Sequence, residues 1–277
     1  VTLTGASLGG ADAGNYLLAS VDTTTADITE AVPTCNITGY TVTYNGNNHE
    51  GSGSCTGVSG EELAPVDFDG FYKNVPGGTV TWEFTDTTGN YNDASGSLEI
   101  VIEKAPSETT VTCVSPQTYT GSPIEACSVT VTGAGDLNLT PGAGYADNTD
   151  TGTATGSYTY AGDDNHLGSS DSDTFEIEMI ALSLTASPQT KELGDTFVFD
   201  MTTPGDFSVL GLVGSDTVTS VTLSSTGADS GAAVGPHAIL ISDAVGTGLA
   251  NYTITYNPGT MTVEDTTAPT ATVEYDI

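Results

Sequence analysis

Residues 78–84 read Gly-Thr-Val-Thr-Trp-Glu-Phe, and this short stretch has the alternating pattern of a β-strand. Three apolar side chains, Val80, Trp82 and Phe84, alternate with polar ones. Successive side chains of a strand point to opposite faces, so the alternation places the three apolar groups on one buried face. The stretch therefore predicts a half-buried antiparallel strand, and Gly156-Ser-Tyr-Thr-Tyr160 matches it later in the chain.

The composition of the chain favours strands throughout. Thr, Val, Tyr and Ile are abundant, 34 of the 277 residues are glycine, and the helix formers Lys, Arg, Gln and Met are scarce. The 37% of hydrophobic residues is enough for packed cores, but the chain is long for a single core. We therefore predict an all-β protein of two or more domains.

The net charge is strongly negative, because the chain has 36 Asp and Glu residues and only 3 Lys and Arg residues. Its formal charge is −33. Nucleic acid and anionic lipid are bound by cationic side chains that displace counterions, so neither is expected as a partner. No segment approaches the roughly 20 consecutive apolar residues of a membrane-spanning helix. We expect no membrane insertion in this sequence, and any signal or anchor to lie outside it.

The four cysteines occur as two closely spaced pairs, Cys35 with Cys55 and Cys113 with Cys127. Two local disulfides are the simplest interpretation, and they indicate an oxidising compartment. A four-cysteine metal site is the alternative, but the CxxC spacing typical of such sites is missing.

An Asn-aromatic pair recurs four times along the chain. The pairs are Asn15-Tyr16, Asn90-Tyr91, Asn165-His166 and Asn251-Tyr252, at steps of 75, 75 and 86 residues. A strand-like segment follows each pair, at residues 25–29, 97–103, 174–180 and 260–263. Such self-similarity is typical of tandem repeat domains.

The two middle repeats align further. Tyr44-Asn45-Gly46 matches Tyr119-Thr120-Gly121, which we call the Tyr-x-Gly turn, and Cys55 matches Cys127. The alignment predicts the second half of a repeat at residues 1–31 and full repeats at 32–105, 106–181 and 182–265. Residues 266–277 are expected to be a linker that enters the first strand of a further domain.

Several segments resemble repeats of large bacterial surface proteins and adhesins. The segment from Val1 through Asn15-Tyr16 to Thr29 is similar to the closing half of the YDG-type repeat of filamentous-haemagglutinin-like adhesins. Residues 182–265 resemble the MBG (YGX-type) repeat through Leu249-Ala-Asn-Tyr-Thr-Ile-Thr-Tyr256 and Pro258-Gly-Thr-Met-Thr-Val263. The repeats at 32–105 and 106–181 resemble related MBG-like domains.

The resemblance implies an extracellular spacer of tandem Ig-like β-sandwich or β-grasp-like domains in an elongated array. It carries over no catalytic residue. By alignment, each disulfide ties the first strand of its repeat to the strand after the Tyr-x-Gly turn. One departure occurs at Lys191-Glu-Leu-Gly194, where the family usually has an aromatic residue before the glycine. The junction Asp265-Thr-Thr-Ala-Pro269 resembles the start of many bacterial Ig-like repeats.

Enzymatic activity is not expected from the residues. The three histidines, His49, His166 and His237, lie in separate repeats, and none belongs to a recognisable nucleophile motif. His166 occupies the aromatic position of its repeat, which indicates a structural role. Lys73, Lys104 and Lys191 are expected to be ordinary surface lysines.

Calcium is the one cofactor that the sequence suggests, because clustered carboxylates are the ligands that hard cations prefer. The densest cluster is formed by Asp163, Asp164, Asp171 and Asp173, and it lacks the twelve-residue loop of an EF-hand. A second possible site lies at Glu264 and Asp265. Solvated acidic loops are the alternative for both.

The leading functional hypothesis is a secreted structural spacer that extends a large cell-surface or fibre protein. Its partners would be neighbouring domains of the same long chain. The alternatives are an adhesive module that binds host glycan or protein, and a filament subunit that polymerises with like subunits by strand complementation. Three Asn-x-Ser/Thr sequons leave glycosylation open, at Asn36, Asn138 and Asn251.

Overall fold

The computed structural model describes residues 5–20 and 25–267, and these form an all-β protein of tandem β-sandwich repeats. The chain divides into two compact units. The first unit contains the chain up to Ala105 together with the loops 134–136 and 163–167, and the second contains the remainder from Pro106 onward.

Eight strands occur among the described residues of the first unit. They are β1 (Thr34–Ile37), β2 (Tyr40–Thr43), β3 (His49–Glu50), β4 (Gly53–Thr56), β5 (Asp67–Asp69), β6 (Phe71–Tyr72), β7 (Gly77–Phe84) and β8 (Ala94–Glu103). The main sheet has the order β2-β8-β7-β5, in which β2 is parallel to β8 and the other pairs are antiparallel. Two small sheets, β1-β4 and β3-β6, complete the repeat.

The second unit begins with a repeat of seven strands. They are β9 (Ser107–Cys113), β10 (Gln117–Thr118), β11 (Cys127–Gly133), β12 (Asn138–Leu139), β13 (Gly144–Ala146), β14 (Gly152–Tyr160) and β15 (Ser169–Glu178). They form a four-stranded sheet, β10-β15-β14-β13, and a three-stranded sheet, β12-β11-β9.

A further repeat of seven strands completes the second unit. They are β16 (Ile180–Ala186), β17 (Gln189–Glu192), β18 (Phe207–Leu210), β19 (Thr217–Ser224), β20 (Gly235–Thr247), β21 (Tyr252–Asn257) and β22 (Gly259–Glu264). The sheets are β17-β22-β20-β19 and β18-β16-β21. Short 3-10 turns occur at Thr226–Ala228 and Leu249–Asn251 here, and at Ala13–Asn15 near the start of the chain.

The three four-stranded sheets have the same topology. In each, a short strand lies parallel to the last long strand of the repeat, as β2 does to β8, β10 to β15 and β17 to β22. The last long strand pairs antiparallel with a central strand, and a third strand pairs with that central strand. A shared order with one unusual parallel pair indicates copies of one repeat.

The cores consist of the faces that the alternation predicts. In β7, Val80 and Phe84 are fully buried, while Trp82 is half-buried and its ring covers Gly96 on β8. Val80 packs with Ile100 and other β8 residues in the core of the first unit. In the second unit the buried side chains of both repeats form one continuous cluster.

The structure corrects one predicted strand. Residues 25–29 contain no strand and are exposed, because no partner strand hydrogen-bonds to them within the described part of the chain. The segments predicted at 97–103 and 260–263 lie in β8 and β22, and 174–180 spans the end of β15 and the start of β16. Residues 1–4, 21–24 and 268–277, including most of the predicted linker and further domain, lie outside the described residues.

A β-grasp fold packs its sheet around an α-helix, whereas the helical segments of the described residues are three short 3-10 turns. The β-sandwich is therefore the alternative that fits. No helix among the described residues is long and apolar enough to cross a membrane.

Candidate functional site

The Asn-aromatic pair of the last repeat is buried against the preceding repeat. A 3-10 turn, Leu249–Asn251, delivers the pair to the start of β21, and the two side chains are only 4% and 5% exposed. The Tyr252 ring meets the ring of Tyr119, in the Tyr-x-Gly turn of the preceding repeat, edge to face, with centroids 5.6 Å apart.

One carboxylate connects these two tyrosines. The hydroxyls of Tyr119 and Tyr252 both donate to Oδ2 of Asp216, over 2.7 and 2.8 Å. The Tyr252 hydroxyl also accepts the N–H of Val213, over 3.0 Å. Burial, followed by the hydrogen bond to Asp216, raises the pKa of Tyr119 to about 12. Burial also raises the pKa of Tyr252.

The asparagine of the pair fixes a second point of contact. Its amide oxygen accepts the N–H and the hydroxyl of Thr151, and its amide nitrogen donates to Asp150. Both partners lie in the loop immediately before β14, the central strand of the preceding repeat. The amide of Asn251 thus satisfies polar groups of the neighbouring repeat at the start of its central strand.

Two glycines allow the turns to meet. Gly121 and Gly214 both have positive φ, and a Cβ on Gly121 would lie 2.9 Å from the Cα of Gly214. Any side chain at either position would separate the two backbones. The Tyr-x-Gly turn therefore has its glycine for close approach to the next repeat.

The first unit contains the same arrangement with a histidine in place of the tyrosine. His166 is buried and its ring meets the Tyr44 ring edge to face, 5.2 Å between centroids. The side-chain amide nitrogen of Asn165 donates to Asn74, and its amide oxygen accepts the N–H of Val75. Both partners again lie just before a central strand. A Cβ on Gly46 would lie 2.7 Å from the Cα of Gly135, so glycines again meet.

The ring nitrogens of His166 are both used structurally. Nδ1 lies 2.8 Å from Asp163, and Nε2 lies 2.9 Å from the backbone oxygen of Ala134. These contacts take the place of the Asp216 carboxylate, which accepts hydrogen bonds from two tyrosines in the second unit. We call each such contact, of an Asn-aromatic pair with a Tyr-x-Gly turn, a repeat joint.

The last repeat lacks the aromatic residue of the turn. The backbone N–H groups of Tyr44 and Tyr119 each donate to the backbone oxygen of the last glutamate in the final long strand of their repeat. The N–H of Leu193 donates in the same way to the backbone oxygen of Glu264. Leu193 thus occupies the tyrosine position and is exposed. The departure predicted at residues 191–194 removes the ring that a repeat joint uses.

Ionisation of the buried tyrosines is expected to open the joint in alkali. The pKa of Tyr119 is about 12 in the folded chain against 10.0 for an ordinary tyrosine, so the joint's stability is complete below pH 10 and falls as the pH rises towards 12. Tyrosinate absorbance and amide hydrogen exchange measured across this range test the expectation. A Tyr119→Phe variant should lose less of its stability over the range, and titration of Tyr119 near pH 10 would contradict it.

Both predicted cysteine pairs are disulfides in the structure. Cys35 pairs with Cys55 between β1 and β4, and Cys113 pairs with Cys127 between β9 and β11, with Cα–Cα distances of 3.9 Å in each. The bond at Cys127 ties the first strand of its repeat to the strand after the Tyr-x-Gly turn, as the alignment implied. The bond at Cys55 ties β1 to the second strand after the turn, because the short strand β3 lies between.

The structure gives most of the candidate calcium ligands other partners. Asp163 caps its own loop by accepting the N–H groups of Asn165 and His166. Asp171 and Asp173 lie on β15 and accept the N–H groups of Val111 and Cys113. Asp164 is exposed. Across residues 5–20 and 25–267, no group of three or more His, Cys, Asp or Glu converges as a metal site, and calcium binding stays a prediction.

The prediction of a surface position is wrong for one lysine. Lys191 is only 8% exposed, and its ammonium donates to the backbone oxygens of Asp195 and Asp229, both over 2.6 Å. Lys73 and Lys104 are exposed as expected. Among the sequons, Asn36 and Asn138 are exposed, whereas Asn251 is buried in the repeat joint and is inaccessible in the folded chain.

Comparison with known families identifies one repeat. Residues 182–262 match the family model of the MBG domain (YGX type), which confirms the resemblance predicted for this repeat. The match and the two disulfides fit an extracellular repeat or adhesion-type module. No curated protein matches the sequence.

Solved structures of cadherin repeats are similar in a general way. Protocadherin gammaB7 EC3-6, solved as a cis-dimer, is 12% identical over 84% of this chain and 74% of its own, with a TM-score of 0.25. Cadherin-23 EC22-24 from mouse is 10% identical over 85% of this chain and 100% of its own, with a TM-score of 0.32. At these TM-scores the likeness carries no functional argument.

Proposed function

We propose that this chain is a structural spacer of a large secreted protein, of the bacterial cell-surface or extracellular-fibre type. The observation that carries the proposal is the repeat joint. The recurring Asn-aromatic pair, the most regular feature of the sequence, is used to fasten one repeat to the one before it. A sequence that repeats its joints is suited to building length from serial domains.

The partners in this proposal are the neighbouring domains of the same chain. Disulfides persist in oxidising compartments, which supports a position outside the cytoplasm. The net charge of −33 would keep such a chain soluble and self-repelling. Nucleic acid and membrane are not among the proposed partners.

The proposal includes no enzymatic activity. Each histidine has a structural partner: His49 bonds Asn45, His166 lies in a repeat joint, and His237 contacts Thr226 and the backbone oxygen of Ala233. None is paired with a serine or cysteine nucleophile in these bonds. The arrangement supports packing roles for all three residues.

Small-angle scattering of the purified monomer tests the spacer. We expect an extended particle whose maximum dimension grows by one domain length when a repeat is added, and a compact globule of unchanged dimension would contradict the proposal. The measurement is repeated in chelator and in millimolar calcium. Stiffening in calcium would identify a cation-dependent stalk, and growth into filaments would favour strand exchange between like subunits.

A binding module is the competing function, and one surface provides its test. Trp82 lines an open depression of about 650 Å³ with Asp67, Asp69 and Glu83, and aromatic rings are common platforms for sugars. It is the single tryptophan of the chain, so its fluorescence reports this surface directly. Saturable quenching of the Trp82 fluorescence by oligosaccharides would favour an adhesive function over that of a spacer.

A further inference from the structure

The repeat at residues 32–105 carries an Asn-aromatic pair whose joint is incomplete. In the second unit Tyr252 receives the N–H of Val213 and donates to the carboxylate of Asp216. Tyr91 repeats both bonds, because its hydroxyl accepts the N–H of Val58 and donates to the carboxylate of Glu61. The tyrosine, the backbone N–H and the acid of the repeat joint are therefore all assembled at this end.

The member that is missing is the second tyrosine. Asp216 accepts a hydroxyl from Tyr119 as well as from Tyr252. Among the described residues no second tyrosine hydroxyl donates to Glu61. The hydroxyl of Tyr91 lowers the pKa of Glu61, so at neutral pH this acid is a charged acceptor with further lone pairs.

The groups around the incomplete joint are uncovered. Val58 is 76% exposed, whereas its counterpart Val213 packs against the core of the second unit. Asn90 is exposed and its side-chain amide nitrogen donates to the nearby Thr88, whereas the side-chain amide of Asn251 bonds the preceding repeat. An exposed apolar side chain beside an exposed asparagine amide is a surface suited to a partner.

We propose that Val58, Glu61, Asn90 and Tyr91 form an open half-joint that binds the Tyr-x-Gly turn of a preceding repeat. The occupant is a repeat of the same kind, joined ahead of Ala31. Its tyrosine ring meets Tyr91, its tyrosine hydroxyl donates to Glu61, and its pre-strand loop bonds Asn90. The inference rests on the proposed spacer function and adds the rule by which the spacer is extended.

The geometry also gives the joint a direction. Each joint brings together a turn from one repeat and an Asn-aromatic pair from the next, so the repeats are added in one order. Gly60 in the half-joint has positive φ and open space where a Cβ would project, which leaves room for the incoming turn glycine. It lies two residues after Val58, whereas Gly214 follows Val213 directly, so the backbones will approach at a shifted position.

An inserted repeat tests the proposal in the intact chain. A copy of residues 105–179 is placed between Glu30 and Ala31, which supplies the Tyr-x-Gly turn and the pre-strand loop at high effective concentration. We expect amide hydrogen exchange at Val58 to slow by roughly tenfold or more relative to the parent chain. The matched control carries Tyr119→Ala in the inserted copy alone and should exchange at the parent rate.

The outcomes separate this proposal from the spacer function. If the inserted copy shows its own protected amides and Val58 exchanges at the parent rate, the half-joint is wrong, although an extended scattering profile would still support the spacer. If the copy does not fold, Asp216→Glu in the native chain decides. A glutamate that accepts both tyrosines keeps exchange at Val213 within roughly threefold of the parent rate, and a loss equal to that of Asp216→Ala overturns the proposal.

Discussion

Asp216→Ala is expected to lower the free energy of unfolding of the second unit by about 3 kcal/mol. The substitution removes the acceptor of two hydrogen bonds and leaves the hydroxyls of Tyr119 and Tyr252 without that partner. Both tyrosines are buried, so their hydroxyls depend on protein partners more than exposed hydroxyls do. Denaturant unfolding, monitored through hydrogen exchange at the amides of β14 and β21, measures the loss of free energy of unfolding.

Two variants separate the joint from general effects of charge. Glu125→Ala removes an exposed acid of the same unit and should change the free energy of unfolding by less than about 0.5 kcal/mol. Asp216→Asn retains an acceptor oxygen but removes the charge that strengthens both hydrogen bonds, and it should lose about half as much as Asp216→Ala. Equal stability of Asp216→Ala and the Glu125→Ala control would show that the two hydroxyls contribute nothing through this residue.

The strand pattern and the repeats could be predicted from the sequence because they depend on local periodicity. The alternation in residues 78–84 places Val80 and Phe84 in the core, and the matching turns identify equivalent strands in successive repeats. The alternation is visible within one short stretch of chain, and the matching turns are visible when such stretches are compared along the sequence. The isolated segment 25–29 was predicted wrongly because a strand also depends on a partner that local periodicity does not reveal.

The repeat joint was not predicted because its parts lie far apart in sequence and are conventional alone. Tyr119 and Asp216 are 97 residues apart, and a tyrosine before a glycine looks like an ordinary turn. The recurrence of the Asn-aromatic pair was the available signal, but it does not show which neighbour the ring contacts. Lys191 is a similar case, because its burial depends on two backbone oxygens that composition does not reveal.

The double substitution Cys113→Ala, Cys127→Ala is expected to cost the second unit about 3 kcal/mol. The bond closes a loop with a sequence separation of 14 residues, and its removal restores the conformational freedom of that loop in the unfolded chain. The sulfurs also pack against Gly156 on β14, so their loss leaves a gap between the two sheets of the repeat. Chemical denaturation with the same hydrogen-exchange probes measures the difference.

The reduced wild-type chain provides the independent comparison, since cutting the bond without changing the sequence should reproduce most of the loss. Ser128→Ala, one residue along β11 and exposed, serves as the control and should stay within about 0.5 kcal/mol of the parent. A loss below about 1 kcal/mol in both the variant and the reduced chain would mean that the loop is already ordered without its crosslink. A loss of the expected size would make the stability of the spacer depend on an oxidising environment. A small domain has a free energy of unfolding of only several kcal/mol, and a repeat without its disulfide would keep a small part of it.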